Sequence, residues 1–270
     1  HGSVAWRVMI NQPRTRSTHD RSSHPLARVI AIAAVATTAF FSARVIAETG
    51  DRPSDANIPA VLDFQFDAVS PLPDGEGLAG AIAGRSGTTL IVAGGANFPD
   101  DPRWETDKAW YDTIQTLDLA DDDPRWKTLA DSLDGPVAYG VSLTHPGHGV
   151  LSIGGANSTS HLASCFALSV KDGKLVRTDL PDLPIPLAYA AGTLVGDTVV
   201  IMGGQSSPGG PASDAVFLLD LGVDAPRWDR GPPIPSGGRI LPVAATHRGE
   251  VMLFSGVALE PDGEGGHRRV

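Results

Sequence analysis

Three glycine doublets, Gly94-Gly95, Gly154-Gly155 and Gly203-Gly204, each end a short apolar run, and Ser255-Gly256 ends a fourth in the same way. The runs cover residues 89–93, 149–153, 198–202 and 250–254. A short apolar run bounded by turn formers reads as a strand buried on both faces. Strand-rich units recurring every ~50–60 residues are the mark of propeller blades. One blade cannot cover its own two faces, so such a repeat forces a radial stack of sheets around an axis.

The repeats resolve into four strands each, inner (a) to outer (d). In the first unit these are residues 77–83, 88–93, 112–119 and 125–129. In the second they are 138–143, 149–153, 165–170 and 175–178, and in the third 188–195, 198–202, 215–221 and 227–230. The fourth has a at 240–246 and b at 250–254. An isolated outer strand is expected at 63–68, ahead of a Pro71-Leu72-Pro73 link that resembles Leu180-Pro181-Asp182-Leu183-Pro184. Trp126 and Trp228 mark strand d and are expected to pack between blades. With 31 glycines and 22 prolines in 270 residues, the chain carries the turn formers that many short strands need.

The first 47 residues read differently. Arg14, Arg16, Arg21 and Arg28 precede an apolar run over 29–41, and Val45-Ile46-Ala47 supplies small or aliphatic residues for cleavage. That order describes a secretory leader, with the residues before Met9 read as an upstream remnant; residues 1 to about 47 are expected to pack against nothing and to be removed on export. The expected division is a leader at 1–47, a linker at 48–60 and a partial propeller at 61–270, in a periplasmic or secreted protein. The net charge of −10, more negative still without the arginines of the leader, argues against nucleic acid and against anionic membrane once the leader is gone. The single cysteine, Cys165, allows no internal disulfide.

Several segments together resemble the kelch-type mutarotases, the N-acetylneuraminate epimerase family, in a cyclically permuted order. They are Leu78-Ala79-Gly80-Ala81, Gly94-Gly95-Ala96-Asn97-Phe98-Pro99, Ala138-Tyr139-Gly140-Val141-Ser142, Asp214-Ala215-Val216-Phe217 and Gly237-Gly238-Arg239. The resemblance implies an all-β, kelch-type propeller with about four of six blades present. It implies a small sugar or sugar acid, such as sialic acid, as partner, and anomer interconversion as the reaction. Open blade edges at the two ends make a homo-oligomer an expected outcome.

Antiparallel alternation places the b–c and d–a connections on one face, where ligand chemistry is expected. From there Asn97, Arg103, Lys108, Tyr139 and Arg239 are the expected substrate-binding residues, with Trp104, Asp107, Trp110, Asn157 and His161 on the same loops. The family carries a glutamate after the third doublet and an arginine six residues later; Gln205 and Pro211 stand there. An amide cannot act as a general base, so weak or absent sialic acid mutarotation is expected, with Glu105 as the substitute catalytic carboxylate. Two readings stay open: a mutarotase-like isomerase, and a non-catalytic module that binds glycan or protein through the same face. His145-Pro146-Gly147-His148 falls in an a–b turn on the opposite side, so neither a metal nor a cofactor is expected.

Overall fold

The computed structural model describes residues 6–9, 69–73, 77–100 and 105–270, and every regular element among them is a β-strand. After Trp6–Met9 (β1) come Ile82–Ser86 (β2), Thr89–Ala93 (β3), Ala96–Asn97 (β4), Ala109–Trp110 (β5), Thr113–Asp118 (β6) and Lys127–Ser132 (β7). The second repeat is Val141–His145 (β8), Gly149–Ala156 (β9), His161–Lys171 (β10) and Lys174–Leu180 (β11). The third is Ala191–Val195 (β12), Thr198–Met202 (β13), Val216–Asp220 (β14) and Trp228–Arg230 (β15). The last elements are Val243–His247 (β16), Glu250–Phe254 (β17), Leu259–Pro261 (β18) and His267–Arg269 (β19).

Three antiparallel four-stranded sheets follow chain order, β2-β3-β6-β7, β8-β9-β10-β11 and β12-β13-β14-β15. Strands β16 and β17 form a fourth sheet with β1, while β4-β5 and β18-β19 are small hairpins. The inner strands lie beside one another in the sequence β2, β8, β12, β16. The molecule is therefore the propeller that the repeats predict.

Alternation of side chains explains why the b and c strands read as unbroken apolar runs. In β9, Val150 packs toward the first sheet while Leu151 and Ile153 pack toward the third. In β10, Phe166 and Leu168 take the first direction, and Cys165 and Ala167 the second. Strand β13 divides the same way, Val199 and Ile201 facing the second sheet, Val200 and Met202 the fourth. Each buried Leu, Ile or Val contributes about 1.5–3 kcal/mol, so the stack of interfaces holds the fold.

The doublets work at these interfaces. Gly95, Gly155 and Gly204 donate their N–H groups to the carbonyls of Val137, Leu187 and Arg239, each on the link into the following blade. The glycine before each of them lies against that same carbonyl. The expected packing tryptophans also reach across: Trp126 Nε1 donates to the Ser70 carbonyl at 2.9 Å and Trp228 Nε1 to that of Pro181 at 2.8 Å.

Two expectations are corrected. The inner strands begin three to five residues later than the sequence suggests, because Gly80, Tyr139, Tyr189 and Leu241 sit at φ of 63°, 60°, 59° and 54° and break the extended chain. The segment before Met9 does not stand apart either: Trp6–Met9 pairs with β17 in the register Trp6↔Leu253 to Met9↔Glu250, at the position that strand c holds in the other sheets. An open strand edge pairs through backbone groups alone, which four residues cannot announce in their side-chain pattern. The expected leader beyond Met9, the linker and the strand at 63–68 lie outside the described residues. On the fourth sheet Val243 and Phe254 are exposed, as is Leu241 just before β16.

Candidate functional site

The four residues that interrupt the inner strands form a hydrogen-bonded succession from blade to blade. Tyr139 N–H donates to the Gly80 carbonyl at 2.8 Å, Tyr189 N–H to that of Tyr139 at 2.9 Å, and Leu241 N–H to that of Tyr189 at 2.8 Å. Left-handed backbone at a tyrosine costs of order 1–3 kcal/mol. The succession holds Tyr139 and Tyr189 there, with ring centroids 5.2 Å apart.

The hairpin β4-β5 brings the first long b–c loop against these rings. Its register pairs Ala96 with Trp110 and Asn97 with Ala109. Trp110 stands edge-on to Tyr139 at 5.7 Å. Lys108 Nζ donates to Tyr139 Oη at 3.0 Å and lies 5.3, 5.5 and 4.9 Å from the centroids of Phe98, Trp110 and Tyr139. Three aromatic faces thus hold one cation in place. Tyr111 Oη donates to Asn97 Oδ1 at 2.8 Å and stiffens the base of the hairpin.

From the other side, His161 at the start of β10 completes the cluster. Its ring stands edge-on to Tyr189 at 5.8 Å. Its Nδ1 lies 2.9 Å from the Gln205 carbonyl oxygen, which can only accept, so the proton sits on Nδ1 and the lone pair on Nε2. Burial pushes the His161 pKa down, opposed by that hydrogen bond. Burial, with the neighbouring Tyr139, pushes the Tyr189 pKa up, and Lys108 opposes it. The cluster presents an imidazole whose neutral form is favoured, the hydroxyls of two tyrosines and one ammonium around the ring faces.

The residues expected from sequence divide accordingly. Lys108, Tyr139 and Asn97 are brought together, whereas Arg103 and Trp104 lie outside the described residues. Glu105 and Asp107 are exposed on the loop that carries Lys108. Arg239 is turned to its own surroundings, donating to the Ser255 carbonyl and the Ser236 hydroxyl at 2.6 Å each. Asn157 Oδ1 accepts from Thr159 and Ser160 and shapes its own turn. Gln205 is 7% exposed, and its amide donates to the Gly210 carbonyl.

Sequence reasoning did not single out Phe98 or Tyr111 for the site, nor Tyr189. The signal for Tyr189 was the repeat itself: Ala188-Tyr189 occupies the place of Ala138-Tyr139 in the preceding blade. On the opposite side, His148 lies in the β8–β9 turn as expected while His145 is the last residue of β8, its Nε2 3.2 Å from an Asp197 carboxylate oxygen.

No family model matches the chain. Among curated proteins it is 34% identical over 112 residues to N-acetylneuraminate epimerase of Yersinia pestis (strain Pestoides F), covering 37% of this chain and 27% of that protein. The same enzyme of Salmonella arizonae is 34% identical over 112 residues, covering 37% and 28%. That of Brucella suis is 33% identical over 114 residues, covering 38% and 28%. The matches span little more than a quarter of these relatives' length. Among solved structures, the one titled "Structure of YjhT" superposes with a TM-score of 0.62 at 17% identity, over 76% of this chain and 66% of that one. The chain is thus similar to the N-acetylneuraminate epimerases over just over a third of its length, and its fold is a kelch-type β-propeller.

Proposed function

We propose that this chain is a sugar mutarotase-like protein whose substrate is a sugar acid, bound at the cluster around Tyr139 and Tyr189. The observation that carries the reading is Lys108, a cation fixed among Phe98, Trp110 and Tyr139, with the Tyr139 ring leading through Tyr189 to the His161 imidazole. A carboxylate would accept from the ammonium, the C–H faces of a pyranose would lie on the rings, and proton exchange would open and close the hemiketal. The curated relatives are named for N-acetylneuraminate, which carries those groups and is the first sugar to test.

Exchange NMR on the two anomers of N-acetylneuraminate measures both steps. Gln205 alone leaves weak or absent acceleration. With the His161 imidazole available as another base, the protein is expected to speed their interconversion, and Lys108→Met to weaken binding about 10- to 100-fold, the worth of one charge-assisted hydrogen bond. Unchanged exchange together with unchanged line widths of the sugar would refute the reading. Gln205 and its exposed neighbour Pro211 favour a second reading, a non-catalytic binding module; binding without acceleration would select it. The basic and apolar order of residues 14–47 supports export to the periplasm or medium, and sequencing of exported protein is expected to begin near Glu48. An intact amino terminus on exported protein would refute that.

A further inference from the structure

Resting on the mutarotase reading, we propose that His161 and Tyr189 are the proton-transfer pair of this site, His161 Nε2 acting as base and the Tyr189 hydroxyl as acid. Loss of the family's carboxylate at Gln205 removes one base, yet the backbone of that same residue builds another. The Gln205 carbonyl takes the Nδ1 proton of His161 at 2.9 Å and so fixes the tautomer whose Nε2 is basic. Among the described residues Nε2 has no hydrogen-bond partner, and His161 keeps 8% of its surface exposed. The ring is held by Gln205 and by the edge contact with Tyr189 at 5.8 Å, on a backbone paired with Ala156.

Tyr189 is held as firmly, its N–H on the Tyr139 carbonyl and its ring against Tyr139. The environments push the two groups apart in the direction the reaction needs. Burial keeps the imidazole neutral and therefore able to accept a proton. Burial and Tyr139 keep the phenol protonated and able to give one, while Lys108 favours the phenolate as it forms. No charged side chain among the described residues contributes to the position of the His161 titration.

The step balances without any further reactant. His161 Nε2 takes the proton of the anomeric hydroxyl, whose oxygen forms the carbonyl. The endocyclic C–O bond breaks, and its electron pair stays on the ring oxygen, which takes the Tyr189 proton. A half-turn about the adjacent C–C bond exposes the other carbonyl face. Reversal of both transfers closes the opposite anomer and restores both side chains.

The test uses the whole protein and N-acetylneuraminate. Exchange NMR gives the rate and saturation transfer gives binding for the unmodified protein, His161→Asn and Tyr189→Phe. Asparagine keeps a donor near the Nδ1 position toward Gln205 but cannot carry a proton. His161→Asn is expected to slow exchange about 100-fold or more, the usual worth of a positioned acid or base, with binding changed less than about 3-fold. Added imidazole should restore part of the lost rate, a recovery that a purely structural role would not show. Tyr189→Phe should cost about 10-fold or more. If His161→Asn fails to fold, the unmodified protein still decides: its rate should fall as acid protonates the imidazole, below about pH 6.5. A flat profile from pH 7.5 to 5, or full activity of His161→Asn in an active protein, would overturn the pair while leaving the mutarotase reading intact. A protein that binds the sugar without speeding exchange would overturn the pair and select the binding module. One that neither binds nor speeds exchange would overturn both.

Discussion

Replacing Gly154 by alanine tests whether the doublets hold the blades together. Gly154 and Gly173, both in the second repeat, share left-handed backbone, φ 60° and 71°. A Cβ at Gly173 would meet nothing within 4 Å, whereas one at Gly154 would fall 2.4 Å from the Leu187 carbonyl oxygen. The conformational cost of alanine, about 1–2 kcal/mol, is common to both and cancels in the comparison. At Gly154 the carbonyl must also retreat by roughly 1 Å, a local overpacking worth about 1–3 kcal/mol. That retreat strains the 2.8 Å hydrogen bond from Gly155 N–H, worth about 1 kcal/mol more. Gly154→Ala is therefore expected to lose about 2–4 kcal/mol beyond Gly173→Ala. Urea unfolding followed by tryptophan fluorescence, at constant m, reads this as a difference in midpoint. If the two variants differ by less than about 0.5 kcal/mol, the doublets serve only turn geometry and the inter-blade argument is wrong.

Acid should weaken the fold through two histidines. Burial lowers the pKa of His148 below its ordinary 6.5, with His145 and Lys171 adding to the shift and Asp197 opposing it, and burial also lowers that of His161. The unfolded chain then binds protons near 6.5 that the native chain takes up only at lower pH, so stability is full above 6.5 and falls as pH drops toward the native values. Melting temperatures from pH 7.5 to 5 should decline less steeply for His148→Gln with His161→Asn than for the unmodified protein, and identical slopes would refute this. Burial pushes the Cys165 thiol up to about 12, so a thiol reagent at pH 8 should label it only after unfolding. Fast labelling of the native protein would place Cys165 outside the core.

The sequence by itself determined the repeat, the fold class and the two middle strands of each blade, because a strand buried on both faces must be apolar throughout and must stop where the next blade closes in. The b strands at 198–202 and 250–254 match residue for residue. The same local logic found the inter-blade tryptophans and the side on which the long loops gather. Tertiary structure alone decided what those loops do. Lys108 is one charged loop residue among several until β4-β5 folds it over Tyr139, and Glu105, three residues earlier, stays exposed. Arg239 has the right charge, but its guanidinium is engaged by Ser236 and Ser255. His161 gains its chemistry from the carbonyl of a residue 44 positions away, and β1 finds its partner across almost the whole chain. Spacing along a chain reports which faces are buried; which side chains meet, and which tautomer a backbone carbonyl selects, depends on contacts between distant segments that no local pattern encodes.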